Sequence, residues 1–170
     1  MLEYSKKYDN VVLLRNDVNS GAGHSRNRGL DIATGEYISF LDSDDWYYHD
    51  DSLEQFYNDA KHHGTPLCGS AITNVLENGQ LKTFFTKEND IKFDNRFIKF
   101  EDYQNIYYFT RFLYSRMFLN DHGIRFRDFK RFQDPYFLYD VMVRAGGFFA
   151  VPYSTYCYTT NDHWCSLTVE

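Results

Sequence analysis

The chain has 170 residues, which is enough for one domain with a substantial core. Its formal charge is −6, from 18 basic and 24 acidic side chains, and this balance argues against a nucleic-acid-binding protein, in which basic residues are usually in excess. Aromatic residues make up 19% of the chain. Most of them are expected to pack in the core, and the rest could form surfaces on which sugar rings or bases stack.

The cysteines Cys68, Cys157 and Cys165 form no Cys-x-x-Cys pair. A disulfide framework is therefore not expected, and a reducing compartment such as the cytoplasm fits this usage. The sequence has no run of about 18 apolar residues, so we expect no transmembrane segment. The first residues are not followed by the apolar stretch that a signal peptide requires.

The first half of the chain alternates between helical and strand patterns. Gly35 is a good residue to end the second helix, and Asn78-Gly79 is a strong signal for a tight hairpin turn. The early order of elements predicts a βαβ unit in a parallel sheet. The predicted elements are a helix over 1–8, a buried strand over 11–14, a helix over 22–34, a strand over 36–41, a helix over 51–63, a strand over 67–72, and hairpin strands over 72–77 and 80–85.

The second half is richer in aromatic residues and less regular. Residues 87–105 have no clear period and are expected to be mostly loop. Beyond them we predict a helix over 107–119, a short strand over 124–126, a helix over 132–145, and strands over 148–151 and 153–158. Together the two halves predict a single domain of the α/β class.

The strand over 36–41 runs directly into the acids Asp42, Asp44 and Asp45. In an open α/β sheet, ligands bind beyond the carboxyl ends of the strands. Asp42 and Asp44 are two residues apart and so lie on one side of an extended backbone, where they offer hard oxygen donors to Mg²⁺ or Mn²⁺. Asp45 is expected to accept hydrogen bonds near the following loop. The alternative is a solvated acidic turn that caps the next helix, and an isolated Asp-x-Asp favours that alternative.

Three other places in the chain carry candidate functional groups. The Gly-rich start of the helix over 22–34 brings Arg26 and Arg28 to where they could reach phosphate oxygens, although solvated arginines are the simpler interpretation. Asp134 opens the helix over 132–145, either as an ordinary cap or as a general base aimed at an acceptor hydroxyl. His163 is either a metal ligand or phosphate contact, or a structural or exposed histidine.

The order and spacing of these motifs resemble those of family-two inverting glycosyltransferases, and the resemblance spans nearly all 170 residues. On the side of the acids it rests on Asn19-x-Gly21, Ser25-Arg26-Asn27-x-Gly29, and Ala33-x-Gly35-Glu36-Tyr37-Ile38-x-Phe40-Leu41-Asp42-x-Asp44-Asp45. Further along it rests on Tyr114-Ser115-Arg116-x-Phe118-Leu119, Gly123-Ile124-x-Phe126, Gln133-Asp134, and the pair His163 and Ser166.

The resemblance implies a fold and a division of labour. The fold would be GT-A-like, that is Rossmann-like, with a mostly parallel sheet flanked by helices. Residues 1–170 would form one partial catalytic domain, with the donor and metal side in 1–86 and the acceptor side in 87–170. The donor would be a nucleotide-diphosphate sugar, and the acceptor a carbohydrate or a lipid-linked acceptor, as in polysaccharide biosynthesis. The protein would then work in the cytoplasm or at the inner face of the membrane.

The resemblance also assigns roles to individual residues. Asp42 and Asp44, joined by His163, would hold Mn²⁺ or Mg²⁺ on the donor diphosphate, and Arg26 and Asn27 would lie beside that diphosphate. Asp134 would deprotonate the acceptor hydroxyl as it attacks the anomeric carbon. The metal would neutralise the charge that develops on the leaving nucleoside diphosphate. Attack from the opposite face would invert the anomeric configuration in one step.

Two departures from the family pattern affect these expectations. Gln133 stands where the family usually has Glu, while Asp134 is kept. Family members also begin with a strand, a helix and a second strand that have no counterpart in 1–170. We therefore expect a sheet that lacks its first βαβ unit and much of the nucleoside pocket. Its exposed edge would favour self-association.

Two other functions compete with sugar transfer. The chain could be a non-catalytic remnant that binds metal, sugar or a partner chain, which its late start favours. A phosphatase of the haloacid dehalogenase type also ends a strand in Asp-x-Asp. That class normally places Thr or Val two residues after the second Asp, where this chain has Trp46, so we discount it.

Overall fold

The computed structural model describes residues 2–76, 78–84, 92–129 and 131–159. Its helices are α1 (Leu2–Lys7), α2 (Gly21–Ile32), α3 (Ser52–His63), α4 (Phe100–Tyr103), α5 (Arg116–Asp121) and α6 (Gln133–Ala145), with a 3₁₀ turn at Phe109–Arg111. Its strands are β1 (Tyr37–Ser39), β2 (Trp46–Tyr47), β3 (Leu67–Val75), β4 (Leu81–Phe84), β5 (Arg96–Lys99), β6 (Phe112–Ser115) and β7 (Gly147–Thr159).

The described strands form one mixed sheet in the order β1-β6-β3-β7-β2, with β4 paired to β3 and β5 paired to β7. The two longest strands, β3 and β7, are parallel, and the other pairings among the described residues are antiparallel. The expectation of a mostly parallel sheet is therefore wrong for this part of the chain. The reason is that β6 lies between β1 and β3 and runs opposite to both.

Helices cover both faces of this sheet. Residues of one cluster alternate with residues of the other along β6 and β7, as the two-residue period of a strand requires. On one face α6 contributes Phe137, Leu138, Val141 and Met142, and on the other α3 contributes Phe56 and Ala60. The predicted α/β class, with helices flanking a sheet, is confirmed.

Local sequence accounts for several of these elements. The helix α3 ends at Gly64, which adopts the left-handed conformation (φ 57°) that ends many helices. The predicted hairpin is present, since β3 and β4 pair across Gly79, which has φ 78°. The first seven residues of β3 are buried, because the strand is covered on both faces. None of the helices in the described ranges combines the length and hydropathy that crossing a membrane requires.

Four predictions about the elements were wrong. Residues 11–14 pair with no described strand, and Val12, Leu13 and Leu14 are exposed. The predicted helix over 107–119 is a 3₁₀ turn followed by β6 and α5. Residues 124–126 form a loop, and the two late strands are one continuous β7. The helix prediction over 107–119 failed because an aromatic run fits both the period of a helix and that of a strand. Pairing with β1 and β3 on its two sides makes residues 112–115 a strand.

Candidate functional site

The acids lie beyond the end of β1, where the sequence placed them. Phe40 and Leu41 carry the chain from β1 into a tight turn, which the backbone N–H of Asp45 closes by donating to the carbonyl of Asp42 (3.2 Å). The next strand, β2, pairs antiparallel with the end of β7. The turn is therefore fixed between the first strand of the sheet and its last.

Asp45 faces β7. Its carboxylate accepts hydrogen bonds from the hydroxyl of Tyr156 (2.6 Å) and from the backbone N–H of Thr159 (2.8 Å). Burial raises the pKa of this carboxyl, while the two hydrogen bonds act in the opposite direction. The hydroxyl of Thr159 also donates to the carbonyl of Asp44 (2.7 Å). The expected hydrogen bonds to Asp45 are thus present, but they come from β7.

Arg26 on α2 reaches the first acid. Its guanidinium donates to Asp42 Oδ1 at 2.9 Å, and the side chains are 19% and 40% exposed, respectively. The guanidinium lies over the ring of Phe109, 4.6 Å from its centroid, and near that of Phe126, at 5.5 Å. Cation–π contacts of this kind hold an arginine in place when it is partly desolvated. The structure therefore brings Arg26 and Asp42 together, as predicted for neighbours at one site.

Other residues of α2 are bound to the protein itself. The Asn27 amide donates to the carbonyl of Phe126 (2.7 Å) and accepts from its N–H (2.8 Å). Asn27 thereby fixes the segment before α6 against α2, and its place beside a diphosphate stays a prediction. Arg28 donates to the carbonyl of Arg15 (2.8 Å) and to the side chain of Asn16. Arg28 is thus held by the loop that precedes α2.

Gly23 explains how close α2 comes to α6. A Cβ atom on Gly23 would lie 3.2 Å from Gln133 Cγ and 3.3 Å from the carbonyl oxygen of Arg127. A larger residue would therefore push the start of α6 away from α2. The glycine keeps Gln133, and Asp134 beside it, near the helix that carries Arg26.

A cavity of about 540 Å³ brings three of the predicted site residues together. Asp42 and Arg26 lie on its wall with Asp134, while the exposed Asp44 is in the same turn as Asp42. The Oε1 atom of Gln133 is buried without a hydrogen-bond partner among the described residues. The full lining is Ala22, Arg26, Asp42, Asn105, Tyr107, Tyr108, Phe109, Thr110, Gln133, Asp134 and Tyr158.

One side of this cavity is an aromatic wall, made of Tyr107, Tyr108 and Tyr158, which the sequence did not identify. Tyr107 and Tyr108 are 58% and 46% exposed, and Tyr108 has φ 61°, a left-handed conformation that is unusual for an aromatic residue. Tyr108 contacts Tyr158 edge-on, with ring centroids 6.0 Å apart. The sequence shows that aromatic residues are abundant, but it does not show that Tyr108 and Tyr158, which are 50 positions apart, lie together.

The donor set at the turn suits a hard divalent cation. Asp42 and Asp44 provide carboxylate oxygens, and Mg²⁺ sites commonly use one or two carboxylates and complete their shell with water and phosphate oxygens. No cluster of three potential ligands occurs among the described residues. His163 and Ser166 lie outside the described residues.

Comparisons with known proteins show which family the chain is similar to. The family model described as Glycosyl transferase family 2 matches residues 1–150. A poly(ribitol-phosphate) beta-glucosyltransferase of Bacillus spizizenii is 39% identical over 88 residues, which is 51% of this chain and 14% of that protein. The amylovoran biosynthesis glycosyltransferase AmsB of Erwinia amylovora is 52% identical over 52 residues, which is 31% of this chain and 16% of that protein.

Solved structures give the same fold. The structure of S. aureus TarS 1–349 in complex with UDP-GlcNAc matches with a TM-score of 0.73 and 22% identity, covering 99% of this chain and 49% of that one. The complex of the same protein with UDP matches with a TM-score of 0.69 and 23% identity, covering 94% of this chain and 47% of that one. The predicted GT-A-like fold is confirmed, and the chain spans about half the length of these structures.

The contact between α2 and α6 is tested by comparing two glycines of α2. A Cβ atom on Gly29 would meet nothing within 4 Å. Gly29→Ala should therefore raise the free energy of unfolding by up to about 1 kcal/mol through helix propensity. Gly23→Ala gains the same propensity but is crowded by Gln133 and Arg127, so we expect it to be less stable than Gly29→Ala by about 1 kcal/mol or more.

Urea denaturation of the two variants and the wild type measures these differences. Equal stabilisation by both substitutions would show that α2 and α6 are not in the close contact described.

Proposed function

This chain belongs to glycosyl transferase family 2, and on that premise we propose that it transfers a sugar from a nucleotide-diphosphate donor to a hydroxyl group of a glycan or lipid-linked acceptor. We propose further that the reaction needs Mn²⁺ or Mg²⁺ and inverts the anomeric configuration. The observation that carries the proposal is a single cavity whose wall holds an acid of the Asp-x-Asp turn, a stacked arginine and a helix-terminal aspartate.

The donor side consists of Asp42, Asp44 and Arg26. A divalent ion held by the two carboxylates would neutralise charge on the leaving nucleoside diphosphate. Arg26 adds a second positive charge at the same end of the cavity, and its guanidinium is shaped to bind phosphate oxygens in pairs. The remaining predicted members of this side are Asn27 and His163.

Asp134 is the proposed general base. Its carboxylate accepts the proton of the acceptor hydroxyl, and it lies on the same cavity wall as Asp42 and Arg26. An inverting displacement is a single step and requires one base. Gln133, which stands beside it, has no acidic proton to share, so the reaction is assigned to Asp134 alone.

The aromatic wall supports a carbohydrate acceptor. Tyrosine rings present flat apolar faces to the C–H groups of a sugar, while their hydroxyls reach its polar edge. Burial, with nearby carboxylates, raises the pKa of Tyr158, so its hydroxyl stays protonated and is able to donate. The names of the relatives point to polymer synthesis, with poly(ribitol phosphate) in one name and amylovoran biosynthesis in the other. The TarS complexes point to a uridine diphosphate sugar as donor.

A second candidate function is binding of metal, sugar or a partner chain without turnover, and the partner chain with structural support is a second copy. Its support is the open side of β1, which is paired only with β6 among the described strands. A groove of about 300 Å³ follows that side, between β1 and α2. Val12, Leu13 and Leu14 lie exposed in an unpaired segment. An extended apolar segment of a second copy would satisfy such an edge.

Two substitutions separate metal binding from chemistry. Asp44→Asn removes a carboxylate ligand, so we expect both Mn²⁺ binding and sugar transfer to fall at least about 10-fold. Asp134→Asn removes the base and keeps the ligands, so Mn²⁺ and UDP binding should stay near wild type while transfer falls at least about 100-fold. Calorimetry with Mn²⁺ and UDP, together with a donor-turnover assay, measures both quantities.

The wild-type chain provides the reference for these measurements. Binding of Mn²⁺ and UDP without turnover by the wild type would favour the binding function over the enzyme. Normal transfer by Asp134→Asn would refute the assignment of the base.

Arg26→Gln should change two affinities in opposite directions. The substitution removes the cation that occupies Asp42, so Mn²⁺ alone should bind several-fold more tightly. It also removes a phosphate contact, so UDP should bind the Mn²⁺-loaded protein about 10-fold more weakly. Calorimetric titration of each ligand tests whether the two affinities change in opposite directions. A loss of both affinities would show that Arg26 acts only on folding.

Lysine substitutions in the exposed segment test self-association through the open edge of β1. Val12→Lys with Leu14→Lys should shift the chain toward monomer, because charged side chains block strand pairing at an edge. Leu81→Lys, at an exposed apolar position on β4, is the matched control and should leave the association unchanged. Sedimentation velocity over a range of concentrations measures the association. A wild type that stays monomeric at every concentration would exclude it.

A further inference from the structure

Tyr156 joins the acidic turn to β7 and to the 3₁₀ turn through one phenolic oxygen. Its side chain is fully buried. The hydroxyl donates to Asp45 Oδ2 (2.6 Å) and accepts from the backbone N–H of Asp42 (3.2 Å). The hydroxyl of Thr110, which lines the cavity, also interacts with it. One atom of β7 thus links that strand to two other elements, the acidic turn and the 3₁₀ turn.

The same end of β7 holds the turn at two further points. The N–H of Thr159 donates to the Asp45 carboxylate, and the hydroxyl of Thr159 donates to the carbonyl of Asp44. These bonds turn Asp45 toward β7, where both of its oxygens accept hydrogen bonds. Together with the bond from Asp42 N–H to Tyr156, they fix the backbone at Asp42 and at Asp44. Asp44 is then available to a cation, and Asp42 would exchange its pairing with Arg26 for one.

We propose that Tyr156 is a positioning residue for the metal site, acting through Asp45. It holds the backbone of the turn so that Asp42 and Asp44 present their carboxylates at the spacing that one divalent ion requires. The inference rests on the proposed function, because it assumes that a metal binds at this turn. Partners that orient metal ligands commonly change metal affinity 10- to 100-fold when they are removed.

Tyr153 provides a matched control on the same strand. Its hydroxyl donates to the carboxylate of Asp59 on α3, so it makes the same kind of bond as Tyr156, with an aspartate of another element. It packs in the cluster beneath α3, on the other face of the sheet from α6. Tyr153→Phe therefore removes one partly buried tyrosine–aspartate bond and leaves the acidic turn untouched.

The experiment compares wild type, Tyr156→Phe and Tyr153→Phe with three readouts. Melting temperature without metal reports the structural loss that both variants share. Amide hydrogen exchange without metal reports the order of the turn, chiefly at Asp42 and Thr159. Titration with Mn²⁺, followed by the electron paramagnetic resonance signal of the free ion, reports metal affinity without requiring turnover.

Tyr156→Phe is expected to bind Mn²⁺ about 10-fold more weakly than wild type and to exchange the Asp42 and Thr159 amides faster. Tyr153→Phe is expected to lower the melting temperature while leaving Mn²⁺ affinity and both amides unchanged. Equal Mn²⁺ affinity in all three proteins would overturn the positioning role. A wild type that binds no Mn²⁺ would overturn the metal site itself, so the two failures are distinct.

A second pair of variants tests whether Asp45 is a tether, that is, whether it holds the turn through hydrogen bonds from β7 and does not coordinate the metal itself. Asp45→Asn keeps an oxygen that accepts from Tyr156, so it should weaken Mn²⁺ binding less than Asp45→Ala does. Asp44→Asn supplies the comparison for a true ligand. A loss of Mn²⁺ affinity in Asp45→Asn as large as that in Asp44→Asn would show direct coordination and would overturn the tether.

Discussion

The packing of Phe40 is the constraint on which the site depends. Its ring lies 5.3–5.6 Å, centroid to centroid, from four other aromatic rings, which come from the 3₁₀ turn, β6, the loop before α6, and α6 itself. Phe40 is two residues before Asp42, so this packing sets where the acidic turn begins. Two of the same rings, those of Phe109 and Phe126, support the Arg26 guanidinium. The same aromatic side chains therefore pack beneath the cavity and position a charged group within it.

The parallel pairing of β3 with β7 supplies the other half of the arrangement. Because β7 is 13 residues long, its first part pairs with β5 in the core and its last part reaches β2 and the acids. A shorter strand would end before Tyr156 and Thr159. The pairing of β3 with β7 continues past two register shifts between Gly69 and Ile72, so that the last part of β7 lies beside the last part of β3. A close approach at Gly69, where a Cβ atom would lie 2.6 Å from the rings of Phe112 and Phe148, helps to bring the strands together.

Local signals in the sequence were sufficient for part of this molecule. The strand that runs into Asp42, the helix that carries Arg26 and the helix that begins near Asp134 each follow from patterns within about 15 residues. The strand β6 could not be found in this way, because its aromatic residues fit a helix equally well. It is a strand because it pairs with β1 on one side and with β3 on the other. The bond from Tyr156 to Asp45 spans 111 positions, so no local pattern reveals it. His163 stays a prediction.

Charge balance explains why the arginine and the proposed metal belong to one site. Asp42, Asp44 and Asp45 carry like charges within one turn, and such charges are costly to hold together without a counter-ion. Arg26 offsets one of them at Asp42, and Asp45 is stabilised by hydrogen bonds from β7. A divalent ion at Asp42 and Asp44 would free Arg26 for the diphosphate that the ion brings. The aromatic rings of Phe109 and Phe126 would hold the guanidinium at this end of the cavity when Asp42 binds the ion.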